Sequence, residues 1–288
     1  MKDQVYILKQ RWAELLQKQE HQKTRIKDAA NILGVSEAEL LSTTINQTST
    51  LLKITDWEKA FKEISSLGNM MYLIRNDYAV FENTLRINKI NSDTTYITLS
   101  DDNSIITINQ SLIKYVFYTS AIIQGNKTYS IHLFDSYGTA IIKIYLQNTK
   151  LKEFESIKNK YKKEYNYELQ KLKNKNLQTS CSGKIKTSSI RLMNNLNFSM
   201  QKYLEQISTN NQNVEIKIFN KAVTAMYKGS LQNIIHKFGW LNIMDPKFNL
   251  HAKDRLLNKN YIDENNEDIM HFFHEEYHIL DSTNFQCS

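Results

Sequence analysis

The sequence predicts an α+β protein built from two similar repeats, each a helical lead followed by a large antiparallel sheet. Three observations carry that expectation. Apolar residues recur with a helical period as far as Leu67 and then alternate with period two from Met70 onward. A shift of 144 residues superposes the later part of the chain on the earlier part without a gap. The 288 residues are 41% hydrophobic and include 16 Tyr, 12 Phe and 3 Trp, enough apolar surface to bury a core, which excludes a wholly disordered chain.

The elements follow in order. Leu8, Trp12, Leu15 and Leu16 fall on one face of an amphipathic helix between Leu8 and Gln19. A short helix then ends at Gly34, and Ser36 with Glu39 three positions on forms a capping box for the next helix. Asp56 caps a third helix that reaches Leu67 and carries Trp57, Phe61 and Ile64 on one side. Strands follow around the interruption Arg75-Asn76-Asp77 and continue through Leu85, Ile97, Leu99, Ile106 and Ile108. Thr128 to Gln147 reads as a hairpin turning at Ser136-Tyr137-Gly138. A charged helix over Leu151 to Lys171 leads into a Ser/Lys/Asn-rich linker ending near Ser189, and a further helix spans Asn197 to Thr209. The expected organisation is thus a first half over 1–150, a helix and linker over 151–190, and a shortened second half over 191–288.

The shift of 144 places Ile74 on Ile218, Asn76 on Asn220, Leu99 on Ile243 and Asp101 on Asp245. Apolar matches arise by chance in strands of equal spacing, whereas coincident Asn and Asp at turn positions argue for duplication.

Composition restricts the function classes. A net charge of +7 with a pI near 9.1 would suit nucleic acid, an anionic membrane surface or a small acidic ligand, but the charges are scattered rather than blocked. No apolar run approaches the ~18 residues of a membrane helix, and Met1 to Lys9 lacks the apolar core of a signal peptide. Cys181 and Cys287 form no framework, so a reducing cytoplasm is expected. No Gly-rich phosphate loop, G-x-S-x-G or C-x-x-C is present, which leaves nucleotide hydrolysis, serine hydrolase chemistry and dithiol redox unsupported.

Two motifs offer alternatives. His274-Glu275-Glu276-Tyr277-His278 satisfies H-E-x-x-H, the zinc peptidase pattern, yet no third ligand follows in Ile279 to Ser288. Ala29 to Leu41 resembles a helix-turn-helix, but its second helix would offer Glu37, Glu39 and Ser42, where phosphate contacts require cations. No nucleic-acid partner is expected on that ground.

The segments RWAELLQKQ, RIKDAANILGVSEAELL, MMYLIRNDYAVFE, SIHLFDSYGTAIIKIY, VEIKIFNKAVTAMYKG and GWLNIMDPKFNLH resemble, in that order, the cytoplasmic heme-utilisation proteins of the HemS/ChuS/HmuS type. The resemblance spans most of the chain, and Gly239 to His251 is its most specific block. It implies a b-type heme held between sheet and helices as ligand or substrate, in a protein serving heme-iron acquisition. Such proteins carry heme, pass it between an inner-membrane importer and a downstream acceptor, or open the porphyrin oxidatively.

The sequence departs from the pattern at four places. The family's usual axial His is missing, since no His lies between Glu153 and Met193. The distal Arg expected on a helix near Ser111 to Tyr118 is replaced by Lys114 as the only cation. Phe81 stands where some relatives carry His, and the segment after Asn258 is altered, so that against the family pattern the second repeat is truncated at its C-terminus. Two outcomes stay open: a relocated heme site, or a degenerate member that keeps the fold without the activity.

Heme iron takes a neutral imidazole, thiolate, thioether or phenolate, with cations meeting the propionates. His251, at the end of the Gly239–His251 block, is the leading iron ligand, with a strand-end residue bonding backbone as the bland alternative. His132 faces either solvent or the pocket. Lys114 would meet a propionate, and Phe219 would stack on the porphyrin, though a lone lysine is usually solvated and an aromatic at strand spacing is usually core.

Overall fold

The computed structural model describes residues 2–22, 24–77, 79–123, 125–147, 149–164, 191–192, 200–211, 213–253, 261–263 and 266–272. The helical lead comprises α1 (Lys2–Gln17), α2 (Ile26–Leu33) and α3 (Glu37–Ser42). Gly34 ends α2 at φ +70°, the left-handed region that glycine enters at no steric cost. The capping box forms as expected: Ser36 Oγ accepts from Glu39 N at 3.2 Å, and Ser36 N donates to Glu39 Oε2 at 2.8 Å. Strand β1 (Ser49–Leu52) precedes α4 (Trp57–Ser65), whose first turn is capped by Asp56.

Strands β2 (Met70–Arg75), β3 (Ala79–Leu85), β4 (Lys89–Ser92), β5 (Tyr96–Ser100), β6 (Ser104–Asn109), β7 (Tyr115–Ile123), β8 (Asn126–Phe134) and β9 (Ala140–Leu146) complete the first repeat, followed by α5 (Leu151–Tyr161). After β10 (Arg191–Leu192) come α6 (Met200–Thr209), β11 (Asn213–Phe219), β12 (Val223–Ser230), β13 (Ile234–Lys237), β14 (Trp240–Met244), β15 (Phe248–Lys253), β16 (Tyr261–Asp263) and β17 (Asn266–Phe272).

The repeats interleave. One sheet has nine strands in the order β1-β7-β8-β9-β2-β3-β15-β14-β13, and the other has eight, β10-β16-β17-β11-β12-β6-β5-β4. Each sheet therefore takes three strands from the opposite repeat, across the β3·β15 and β12·β6 pairings. The shift of 144 converts one junction into the other, since Val223↔Ile108 and Ala252↔Ala79 are equivalent pairs. The duplicated Asn residues at the turns hold the two repeats together reciprocally: Asn76 Nδ2 donates to Phe219 O at 3.1 Å, and Asn220 Nδ2 donates to Arg75 O at 3.5 Å. Each also closes its own turn, with Asn76 Oδ1 accepting from Ala79 N and Asn220 Oδ1 from Val223 N, both at 2.9 Å.

The main core lies between the two sheets and under α4 and α5, with Phe61, Tyr72, Ile74, Phe81, Ile131, Ile144, Phe154, Ile218, Ile243 and Leu250 among its members. A second cluster, containing Ala38, Leu41, Leu51, Phe117, Phe134 and Ala140, seats α3 on the outer face of the nine-stranded sheet. Because Glu37, Ala38, Leu40, Leu41 and Ser42 are all buried, α3 has no surface left to enter a DNA groove.

Two expectations are corrected. The charged helix does not run to Lys171 but stops at Tyr161. Lys53 N donates to Tyr161 O and Lys163 N to Leu51 O, so the chain there completes the open edge of β1 instead of continuing the helix. Around Ser111 to Tyr118 there is one 3-10 turn (Gln110–Leu112) and then strand β7, because Val116 and Tyr118 alternate onto the core face with period two. The two large sheets are antiparallel as expected, with β11 and β17 the one parallel strand pair among the described residues. The H-E-x-x-H motif, Cys181, Cys287 and nearly all of the linker lie outside the described residues.

Candidate functional site

Directly opposed residues in an antiparallel sheet share a face, and one row across the nine-stranded sheet runs Arg75, Val80, His251, Asn242 and Ile235. All five lie on the outer face, opposite the core. The helical lead covers that face over β1, β7, β8 and β9, whereas Arg75, His251 and Asn242 are half-buried.

The geometry of His251 fixes its tautomer. Asn242 Nδ2 donates to Ile235 O at 3.3 Å and to Trp240 O at 3.2 Å, which turns Asn242 Oδ1 toward His251 Nδ1 at 2.7 Å. An amide oxygen only accepts, so Nδ1 carries the proton, and the neutral ring has its lone pair on Nε2. Nε2 has no hydrogen-bond partner among the described residues. An imidazole oriented through its other nitrogen is how proteins present His to a metal.

Cations gather one step along the strands, at the β2–β3 turn. Lys253 donates from Nζ to Asp77 O at 2.8 Å, and Lys27 of α2 lies 3.4 Å from Asp77 Oδ1. Burial, and then the nearby Arg75 guanidinium, lower the Lys27 pKa, with Asp77 partly opposing. Arg75 Nε is buried without a hydrogen-bond partner among the described residues, an N–H that a bound acceptor would satisfy. The half-buried Trp240, opposite Lys253, adds apolar surface beside them.

The remaining candidates are placed apart. His132 lies on the same outer face but four strands away, about 19 Å at ~4.8 Å per strand, and is buried under the helical lead. Ser130 Oγ and His132 Nε2 are 2.9 Å apart, and burial together with Lys143 pushes the imidazole pKa well below its ordinary value, so His132 is neutral. Lys143, opposite it, makes a buried ion pair with Glu37 of α3 at 2.5 Å. Lys114 is exposed ahead of β7, and Phe219 ends β11 on the other sheet. Phe81 points into the core, edge-on to Phe248 at 5.1 Å. Tyr145 offers no phenolate, since burial and then Glu82 and Glu37 push its pKa up to about 12.

Asn242 and Arg75 were not among the sequence candidates. Their signal was available in the hairpin register, because a turn at Asp245-Pro246-Lys247 places Asn242 opposite His251.

This is a two-repeat α+β protein with strands exchanged between repeats and a histidine-bearing outer face beside its helical lead. Residues 34–161, somewhat under half of the chain, match the family model of the haemin-degrading HemS.ChuX domain. Among solved structures, the heme degrading enzyme ChuS of Escherichia coli O157:H7 is similar with a TM-score of 0.73 at 18% identity, covering 90% of this chain and 85% of that one. Apo-PhuS, a heme-binding protein from Pseudomonas aeruginosa, gives 0.75 at 16% identity and 91% coverage of each chain. No curated protein matches the sequence.

Proposed function

We propose that the protein binds heme on the outer face of the nine-stranded sheet, with His251 Nε2 as the iron ligand. The single observation that carries this reading is the His251–Asn242 pair at 2.7 Å, which leaves a lone pair on an oriented imidazole. The HemS.ChuX domain match supports heme as the ligand. Bound heme would supply an iron centre that takes an imidazole nitrogen, and His251 would hold it.

The chain's own residues meet the rest of such a ligand. Asn242 keeps the Nδ1 proton away from the metal side, Trp240 gives apolar contact, and Arg75, Lys27 and Lys253 present cations to carboxylates. His132 and Lys114 stay outside this site, and Phe219 belongs to the other sheet. The same reading assigns the protein to cytoplasmic heme-iron acquisition, receiving a noncovalent b-type heme from an importer or passing it to an acceptor. Oxidative opening of the porphyrin is a further step that the match to a haemin-degrading domain supports.

Titration with hemin, read by absorption and magnetic circular dichroism, tests the assignment. A saturable Soret shift at one equivalent is expected, lost in His251→Ala and weakened about 10- to 100-fold in Asn242→Ala, which loses the hydrogen bond that orients the imidazole. An unchanged spectrum in His251→Ala would remove the ligand assignment. Weak, non-saturable binding by the native protein would mean that the fold persists without the site.

A further inference from the structure

Strand alternation brings several turns to one end of the molecule. In the nine-stranded sheet β8, β2 and β13 run the same way, so the β8–β9, β2–β3 and β13–β14 turns lie together. The reciprocal Asn76 and Asn220 bonds bring the β11–β12 turn to the same end. Three lysine–aromatic couples mark it: Lys221 lies 4.5 Å from the Tyr137 ring centroid, Lys237 4.9 Å from Phe238, and Lys253 5.6 Å from Trp240. Lys27 adds a fourth cation. The carboxylates beside them are engaged, Asp77 with Lys27, Asp135 with Tyr137 N and Thr139 N, and Glu39 in its capping box.

The β13–β14 turn is unusual in itself. Phe238 has φ +54° and Gly239 φ +74°, the mirror-image hairpin geometry that favours Asn-Gly. A phenylalanine there is strained, and its ring is 86% exposed, with Ile235 nearby on the edge strand at 47%. An exposed apolar tip with Lys237 beside it, on an end of the molecule that also carries Lys253, Lys27 and Lys221, matches the interfacial zone of an anionic bilayer, where rings sit among headgroups and cations meet lipid phosphates. Single-stranded nucleic acid fits less well. It needs several open ring faces, and Tyr137 and Trp240 are half-buried with a lysine over each.

We infer that this end of the molecule is a reversible docking surface for anionic membranes, with the Phe238 tip entering the interface and Lys221 and Lys237 holding the headgroups. Phe238, Lys221 and Lys237, the residues on which it is tested, lie outside the proposed heme site, so the two readings fail separately. Its test is co-sedimentation of the full chain with phosphatidylcholine–phosphatidylglycerol vesicles against pure phosphatidylcholine. Binding to the mixed vesicles alone is expected, weakening with added salt. Phe238→Asn suits the turn, so its melting temperature should not fall, while its vesicle affinity drops about tenfold for the lost apolar contact. Lys221→Gln with Lys237→Gln should weaken binding to the mixed vesicles. No binding to mixed vesicles, or an undiminished Phe238→Asn variant, overturns the proposal. So does binding of a single-stranded oligonucleotide, without vesicle binding, that is lost in the double lysine variant.

Discussion

His132 is a buried neutral imidazole whose Nδ1 has no partner among the described residues, and this makes stability depend on pH in one direction. Its native pKa lies well below 6.5, because burial and the neighbouring Lys143 charge disfavour the cation. The unfolded chain takes the proton first, so this contribution is whole above pH ~6.5. It is lost as the pH falls toward the native pKa, by up to about 1.4 kcal/mol per pH unit. Chemical denaturation of the native protein and His132→Gln across that range should show a steeper acid loss in the native protein. An identical slope would sink the idea. At the same spot, Glu37→Ala strands Lys143 in a buried site and should cost about 3–5 kcal/mol. Replacing the pair by Leu and Met should recover much of that, as denaturation midpoints would show.

The helical lead depends on a contact between two local features. Gly138 turns the β8–β9 hairpin at φ +73°, and an added Cβ would meet Ser36 Oγ at 2.3 Å and Ser36 Cβ at 2.8 Å. Ala38 N donates to Gly138 O at 3.2 Å, so the turn and the start of α3 form one joint. Gly138→Ala should therefore cost about 2 kcal/mol or more through strain and collision, and Ser36→Ala about 1 kcal/mol through the lost cap. Both should raise amide exchange in α3 before the sheets are affected. Much at this scale was legible in the sequence: Gly34, the Ser36–Glu39 box, the Asp56 cap and the turn ending at Gly138 are all local chemistry. Non-local pairing was not legible. The stop at Tyr161 depends on a β1 edge more than a hundred residues away, and the parallel β11·β17 pair leaves no mark in a period-two pattern.

At the scale of the whole molecule, the 144-residue shift foretold the repeats but not the exchange of strands between them. Sequence similarity shows which segments are equivalent, while the choice of partner for each edge is settled by the whole packing. The site was legible in part for the same reason. His251 stood out as a residue, whereas its Asn242 orientation and its distance from His132 depend on register and strand order. The exchange also makes a prediction about fragments. A chain ending after α5 would leave β3 without β15 and β6 without β12, two open edges beside apolar faces. Such a fragment should aggregate or associate at micromolar concentration, and adding the complementary piece should restore a monodisperse complex on a sizing column.

The reciprocal asparagine bonds and crossed strands have the geometry of two identical subunits that have traded arms and then been joined end to end. Two free subunits would be held only by mass action and would separate on dilution. One continuous backbone replaces that dependence with an effective concentration set by tether length, in the millimolar range for short flexible tethers. The two copies are then free to diverge, as Asn83 and Ser104 in one and Tyr227 and Phe248 in the other have done. The first pair shares a hydrogen bond at 2.7 Å and its counterpart a ring stack at 4.1 Å. A symmetric ancestor would have to solve that position twice in the same way; the fused chain solves it once with polarity and once with aromatic surface.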